Sequence, residues 1–341
     1  MTQGALGAAF AQSAATREKT GAFAVAGLVG GLAPDLDVLI RSETDPLLYL
    51  EFHRQFTHSL AFIPVGAALC TAAVYWLLRK RLSLAETYFA CLLGYATHGL
   101  LDACTSYGTQ LYWPFSDERL AWNLLPVVDP LVSLPLLALA GLAALTRRPM
   151  LARLGVAWVL AMVLLASWQQ HRVEAAQQAV AQARGHELTK ALVKPSFGNL
   201  LLWKSVYEHE RAYYVDAFRA AQDLSLCPGE QTQALRLPQD LPWLDKRQRQ
   251  ADDLERFRWY SDDWLALDPE EPHTVVDVRY SSVPNQLGAL WGLQLDPAAA
   301  ATDRARYLVF EDRRTRDTRE LQALLGGAGC EPVTAILEPV P

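Results

Sequence analysis

Long apolar runs fill the first half of the chain, and a few polar residues interrupt them near their ends. A membrane-crossing helix needs roughly 20 predominantly apolar residues. The runs at 59–78, 126–146 and 151–168 meet that length, and those at 21–40 and 84–104 meet it if their His and Asp residues are tolerated. Residues 2–16 form a shorter Gly/Ala-rich segment, which suits a partial span packed closely against its neighbours. The pattern therefore predicts a multi-pass α-helical membrane domain of 5–6 helices over residues 1–170.

Beyond that point the period changes. Residues 169–190 read as a polar helix, and NLLLWKSVYEHERAYYVDAFRA, rich in Trp, Tyr and Val with partial alternation, reads as paired strands. Further strand-like runs are HTVVDVRYS, LGALWGLQL and ARYLVFED. Residues 171–341 should form a soluble, strand-rich α+β domain.

Composition agrees with two unlike halves. Hydrophobic residues make up 51% of the 341, yet the mean hydropathy is close to zero, because most of the charge lies in the second half. A net charge of −6 supplies no general basic surface and argues against nucleic acid as a partner. The first residues carry no basic stretch ahead of an apolar one, so a cleaved secretory signal is not expected. Lys and Arg in short connections set orientation. They occur at Arg17 and Lys19, at Arg79, Lys80 and Arg81, and at Arg147, Arg148 and Arg153. The alternate connections, 41–58 and 105–125, carry as many acids as bases or more. The basic connections belong in the cytoplasm. The C-terminal domain then belongs outside it, in the periplasm if the membrane is a bacterial inner membrane.

Seven potential metal ligands sit at the ends of the apolar runs: Asp35, Asp37, His53, His58, His98, Asp102 and Asp129. Ionisable groups at membrane depth are costly, so they point to function. The Lys/Arg topology places all seven on the outer side. His98 and Asp102 are an i, i+4 pair on one helix face. Asp35 and Asp37 follow Gly30, Gly31 and Pro34, where the helix should end in an extended turn that presents both carboxylates. Thr57 is placed to cap the next helix, with His58 in its first turn. Taken singly, each residue has a plainer role, as an interhelical hydrogen bonder or as turn punctuation. Mixed imidazole and carboxylate ligation suits Zn²⁺, with Mn²⁺ or Fe²⁺ as alternatives, and seven candidates allow one or two ions. A carboxylate not needed as a ligand, from Asp35, Asp37 or Asp102, would serve as the base.

The outer loop 105–125 adds Tyr107, Tyr112, Trp113, Phe115 and Trp122, which fit an interfacial aromatic belt. Arg54 and Arg119 could grip an anionic substrate or contact lipid headgroups. Cys227 and Cys330, the two cysteines of the second half, are expected to form a disulfide in an oxidising compartment. Cys70, Cys91 and Cys104 read as buried thiols.

GLAPDLD, HRQFTHS, GYATHGLLDACTSYGTQLYWPFS and VVDP, in this order and spacing, resemble the YdjM-like family of inner-membrane proteins over about residues 2–150. The resemblance implies metal-dependent hydrolysis, with Asp35, Asp37, His58, His98 and Asp102 as metal positions and His53 and Asp129 nearby. Where many members open with Leu-Thr-His, this chain has Thr2-Gln3, so Gln3 marks either a lost ligand or a residue behind the ligands. Two functions follow as expectations. One is a membrane-bound hydrolase acting through metal-activated water on a lipid-linked or phosphoester substrate. The other is a metal-stabilised scaffold whose soluble domain binds an envelope partner.

Overall fold

A computed structural model describes residues 1–316 and 318–337. The chain divides into two compact units. The first comprises residues 1–40, 51–168 and 197–199; the second takes 41–50, 169–196 and 200–341.

The first unit is helical. Helix α1 (Thr2–Ser13) is made largely of Gly and Ala and buries eight of its residues, packing against α2 (Thr20–Leu32), α5 (Leu84–Ala103) and α6 (Pro130–Thr146). Its 12 residues span about 18 Å, well short of a bilayer's apolar thickness. Small residues make this packing possible. A Cβ on Gly27 would stand 2.4 Å from the Gly7 carbonyl oxygen, and one on Gly94 would stand 2.2 Å from that of Gly27. A short helix α3 (Leu48–Phe52) lies where the chain re-enters this unit. Helix α4 (Ile63–Leu78) follows two 3₁₀ turns, and α5 opens on a capping box in which Ser83 and Glu86 satisfy each other's backbone N–H groups. Leu69, Trp76, Leu77, Leu134 and Leu145 point outward and are more than half exposed, the face a lipid-bathed bundle presents.

Among the described residues, three helical stretches are long and apolar enough to cross a membrane: Arg17–Leu39, Leu60–Leu78 and Pro149–Ala183. The predicted runs at 21–40, 59–78 and 151–168 fall within or almost coincide with these. Helix α6 is a shorter apolar helix of 17 residues, and α5, with His98, Asp102, Glu86 and Thr87 along it, is too polar to qualify. The last of the three stretches is α7 (Pro149–Ala183), 35 residues long. The boundary between the two units falls inside it, after Trp168, where the sequence turns from apolar to Gln- and Arg-rich.

The second unit is strand-rich and antiparallel throughout. Strands β1 (Lys190–Pro195), β2 (Leu202–His209), β3 (Ala212–Ala220) and β4 (Leu224–Gln233) pair in sequence order, and β9 (Glu331–Pro332) adds at the β4 edge. The predicted strand pair is the β2–β3 hairpin, closed by Glu210 and Arg211, both at positive φ as a tight two-residue hairpin turn demands. A second meander contains β5 (Leu265–Leu267), β6 (Thr274–Asp277), β7 (Trp291–Gln294) and β8 (Arg306–Val309). The last three of these lie in the predicted strand-like runs. Trp203 and Trp264 are among the largest fully buried side chains. Gln177, on the polar half of α7, donates to Ser205 Oγ on β2 at 2.8 Å. Cys227 on β4 and Cys330 beside β9 are joined in a disulfide, while Cys70, Cys91 and Cys104 are free and buried.

Candidate metal centre

Three helical segments of the first unit deliver one cluster. Helix α2 ends at Leu32 and tightens into a 3₁₀ helix, Ala33–Leu39, rather than the extended turn that Pro34 suggested. With three residues per turn, positions two apart diverge. Asp35 and Asp37 therefore face different partners. Asp35 Oδ1 lies 3.3 Å from His98 Nε2 and 3.7 Å from His58 Nε2. Asp37 stands behind His58, with Oδ2 3.2 Å from its Nδ1, and its Oδ1 lies 2.7 Å from His53 Nδ1.

His58 ends a 3₁₀ turn, Phe56–His58. The cap of the following helical turn is Ser59, whose Oγ accepts from the Phe62 N–H, and not Thr57. Thr57 instead donates its hydroxyl to Asp37 Oδ2 at 2.7 Å. The reason is local: a Thr whose hydroxyl finds a buried carboxylate gains a charge-assisted bond stronger than a cap. His98 and Asp102 share the inner face of α5, as their spacing predicted. His58 Nε2 approaches His98 Nε2 at 3.0 Å and Asp102 Oδ2 at 3.2 Å, and His98 Nε2 lies 3.5 Å from the same oxygen.

Asp35, His58, His98 and Asp102 thus converge, with one donor atom from each lying within 4.8 Å of the others. His58 and His98 are fully buried, Asp102 nearly so, and the Asp35 side chain is 38% exposed. The hydrogen bonds decide the tautomers. His98 Nδ1 meets the Gly31 carbonyl oxygen at 2.7 Å, an acceptor only, so Nδ1 carries the proton. His58 Nδ1 faces the Asp37 carboxylate, which places its proton there too. Both Nε2 lone pairs are then aimed at each other and at two carboxylate oxygens. With both imidazoles neutral, these four atoms are all acceptors, an unfavourable arrangement that a cation resolves. Donors about 2.0–2.1 Å from a tetrahedral ion stand about 3.3 Å apart. The five separations given above, 3.0 to 3.7 Å, bracket that edge length. The residues fit a metal ion.

The surroundings hold the cluster in place. Gln3, on α1, donates Nε2 to Asp102 Oδ1 at 3.1 Å. Arg54 is buried; its Nε lies 3.3 Å from Asp102 Oδ2 and its Nη1 donates to Thr105 Oγ1 at 2.8 Å. Arg119 lies in the 105–125 loop and donates to the carbonyl oxygens of Tyr107 and Gly108. Asp129 caps α6 through Oδ1 and lines a cleft that also borders Asp102. Nothing in the sequence marks the Gly31 carbonyl, because a backbone acceptor has no residue signature. The position of Thr57 beside His58 was the one available hint of its part.

Comparison with known proteins agrees with a membrane location. A stretch of 114 residues is 30% identical to the uncharacterized protein YfhP of Bacillus subtilis, covering 33% of this chain and 34% of that protein. Another of 107 residues is 33% identical to the inner membrane protein YbcI of Escherichia coli, covering 30% of this chain and 60% of that one. The chain therefore matches about a third and three-fifths of these relatives' lengths. No solved structure matches. The model of the YdjM inner membrane protein family matches residues 1–173, which contain the whole cluster, and the chain belongs to that family.

Proposed function

We propose that this protein is a membrane-embedded metal-dependent hydrolase, with Asp35, His58, His98 and Asp102 as its ligands. The observation that carries the reading is the convergence of two imidazole lone pairs and two carboxylates with Asp35 alone open to the surroundings. A divalent ion held there would lower the pKa of a coordinated water and polarise a bound ester or phosphoester. Zn²⁺ fits the donor set best. Asp37 and Gly31 orient the two imidazoles, and Arg54 and Gln3 hold Asp102. Asp35, the accessible carboxylate, would hold the ion through Oδ1 and take a proton from the nucleophile through Oδ2, which the cluster contacts do not use. Arg119, held in the aromatic loop by the Tyr107 and Gly108 carbonyl oxygens, is the residue we assign to an anionic headgroup at the interface.

The substrate we favour is a lipid-linked or phosphoester compound, because a site at the end of membrane helices meets amphiphiles first. The Lys/Arg distribution supports five crossings with α1 entering part-way, the site toward the outer face and the strand-rich domain in the periplasm. The Cys227–Cys330 disulfide suits that compartment.

The purified protein should hold a tightly bound transition metal, and His98→Ala and Asp102→Ala should each lose it. Unchanged metal content in both would end this reading. Screened on esters and phospholipids, the wild type should hydrolyse at least one and both variants none. Metal binding without any turnover would favour the scaffold.

A further inference from the structure

Beside the cluster, on the far side of Asp102, lies a cleft bordered by Thr2, Gln3, Thr105, Asp129 and Ser133. It has room for roughly one or two water-sized particles, which admits a bare cation or a water and excludes an organic substrate. Its lining is mixed, with Leu101, Leu125, Pro126, Val127 and Val132 beside a few oxygen-bearing side chains. Thr2 Oγ1 and Ser133 Oγ stand 2.6 Å apart, held between α1 and α6. Asp129 is 3% exposed; its Oδ1 accepts from the N–H groups of Leu131 and Val132, while its Oδ2 is buried without a hydrogen-bond partner. A carboxylate oxygen in that position is costly unless something positive reaches it. The nearby guanidinium, Arg54, is committed to Asp102 and Thr105.

We propose that this cleft is a second cation site, with Asp129 Oδ2, the Thr2–Ser133 hydroxyl pair and Asp102 as its oxygen donors. Asp102 would be shared between the two ions: its Oδ2 belongs to the imidazole cluster, and its Oδ1 meets Gln3, which borders the cleft. The two sites differ in kind. Imidazoles select zinc-like ions for the first, whereas hydroxyl and carboxylate oxygens alone select Mg²⁺ or Mn²⁺ for the second. This inference rests on the metal-centre reading above, because Asp102 serves both.

Mn²⁺ is the probe, added to the metal-free full-length protein in detergent and followed by electron paramagnetic resonance and elemental analysis. The wild type should bind two ions per chain with a spin-coupled signal. Asp129→Asn should bind one, uncoupled, since Asn retains the oxygen that caps α6. Ser133→Ala should weaken the second ion by about 10–100-fold. The melting temperature of each variant without metal should match the wild type, which separates lost binding from lost folding. One ion in the wild type, removed by His98→Ala and unaffected by Asp129→Asn, would overturn the second site and leave the first standing. No ion at all would overturn both.

Discussion

At the scale of the residue, what could be read in advance depended on whether a side chain's direction follows from regular geometry. His98 and Asp102 were legible as a pair because a helix repeats every 3.6 residues and α5 is regular there. Asp35 and Asp37 were legible as participants, but their separate partners depend on the 3₁₀ turn, which no spacing rule announces. The same limit applies to Lys204, which looks like any strand lysine in the sequence. It lies on β2, 2% exposed, and donates to Ser281 Oγ at 2.8 Å and to the Gln286 carbonyl oxygen at 2.9 Å. Burial away from water drives its pKa from the usual lysine range down to about 7, against the weaker pull of Glu230 and Asp277. Between about 7 and the ordinary value near 10.4, the unfolded chain holds a proton that the folded chain lacks. Stability of the strand-rich domain should therefore rise with pH across that window, by up to about 1.4 kcal/mol per unit. Below about 7 this group contributes no further slope. Urea midpoints of the full-length protein, followed by tryptophan fluorescence from pH 6 to 10, should climb in the wild type and flatten in Lys204→Met. A slope unchanged in that variant would assign the effect elsewhere, Lys194 being the next candidate because burial depresses it as well.

At the scale of the element, apolar length was enough to locate the main helices of the first unit, and partial alternation of Trp, Tyr and Val the β2–β3 pair. Strands β1, β4, β5 and the two-residue β9 were missed because their sequences alternate poorly or are too short: LSLCPGEQTQ on β4 reads as a polar, Pro- and Gly-bearing loop. Their pairing is imposed by neighbours, β4 by β3 above all. The helices of the first unit show why glycine matters to the metal centre. Gly94 on α5, Gly27 on α2 and Gly7 on α1 stack where the three backbones come closest. One turn further along, Gly31 on α2 receives the Nδ1–H of His98 on α5. The glycine contact thus sets the distance over which that hydrogen bond must form. Gly94→Val would drive carbon into the Gly27 carbonyl, and it should destabilise the protein by at least about 1–3 kcal/mol and weaken metal retention together. Gly141→Ala, with nothing within 4 Å of the added carbon, should change neither. Melting temperature and metal content measured on both variants provide the check. A Gly94→Val protein that kept its metal would break the link between helix spacing and imidazole orientation.

At the scale of the whole molecule, the order of elements gathers the candidate ligands at one set of helix ends. The cluster draws on the end of α2, the start of the α4 region and the end of α5, and Asp129 begins α6. These are the connections poor in Lys and Arg. Those joining α1 to α2, α4 to α5 and α6 to α7 are the basic ones. If the rule that basic loops stay in the cytoplasm governs here, α7 leaves the membrane outward and carries the strand-rich domain with it. Alkaline phosphatase, which needs an oxidising compartment to become active, should be active when fused after Pro341, and a green fluorescent protein at the same place should be dark. Cys227 and Cys330 should then resist alkylation in intact cells until a reductant is added, as expected for cysteines joined in a disulfide. The opposite pair of reporter signals would place the metal centre at the cytoplasmic face. It would also leave the ligand geometry untouched while changing which pool of lipid-linked or soluble phosphoesters the site could reach.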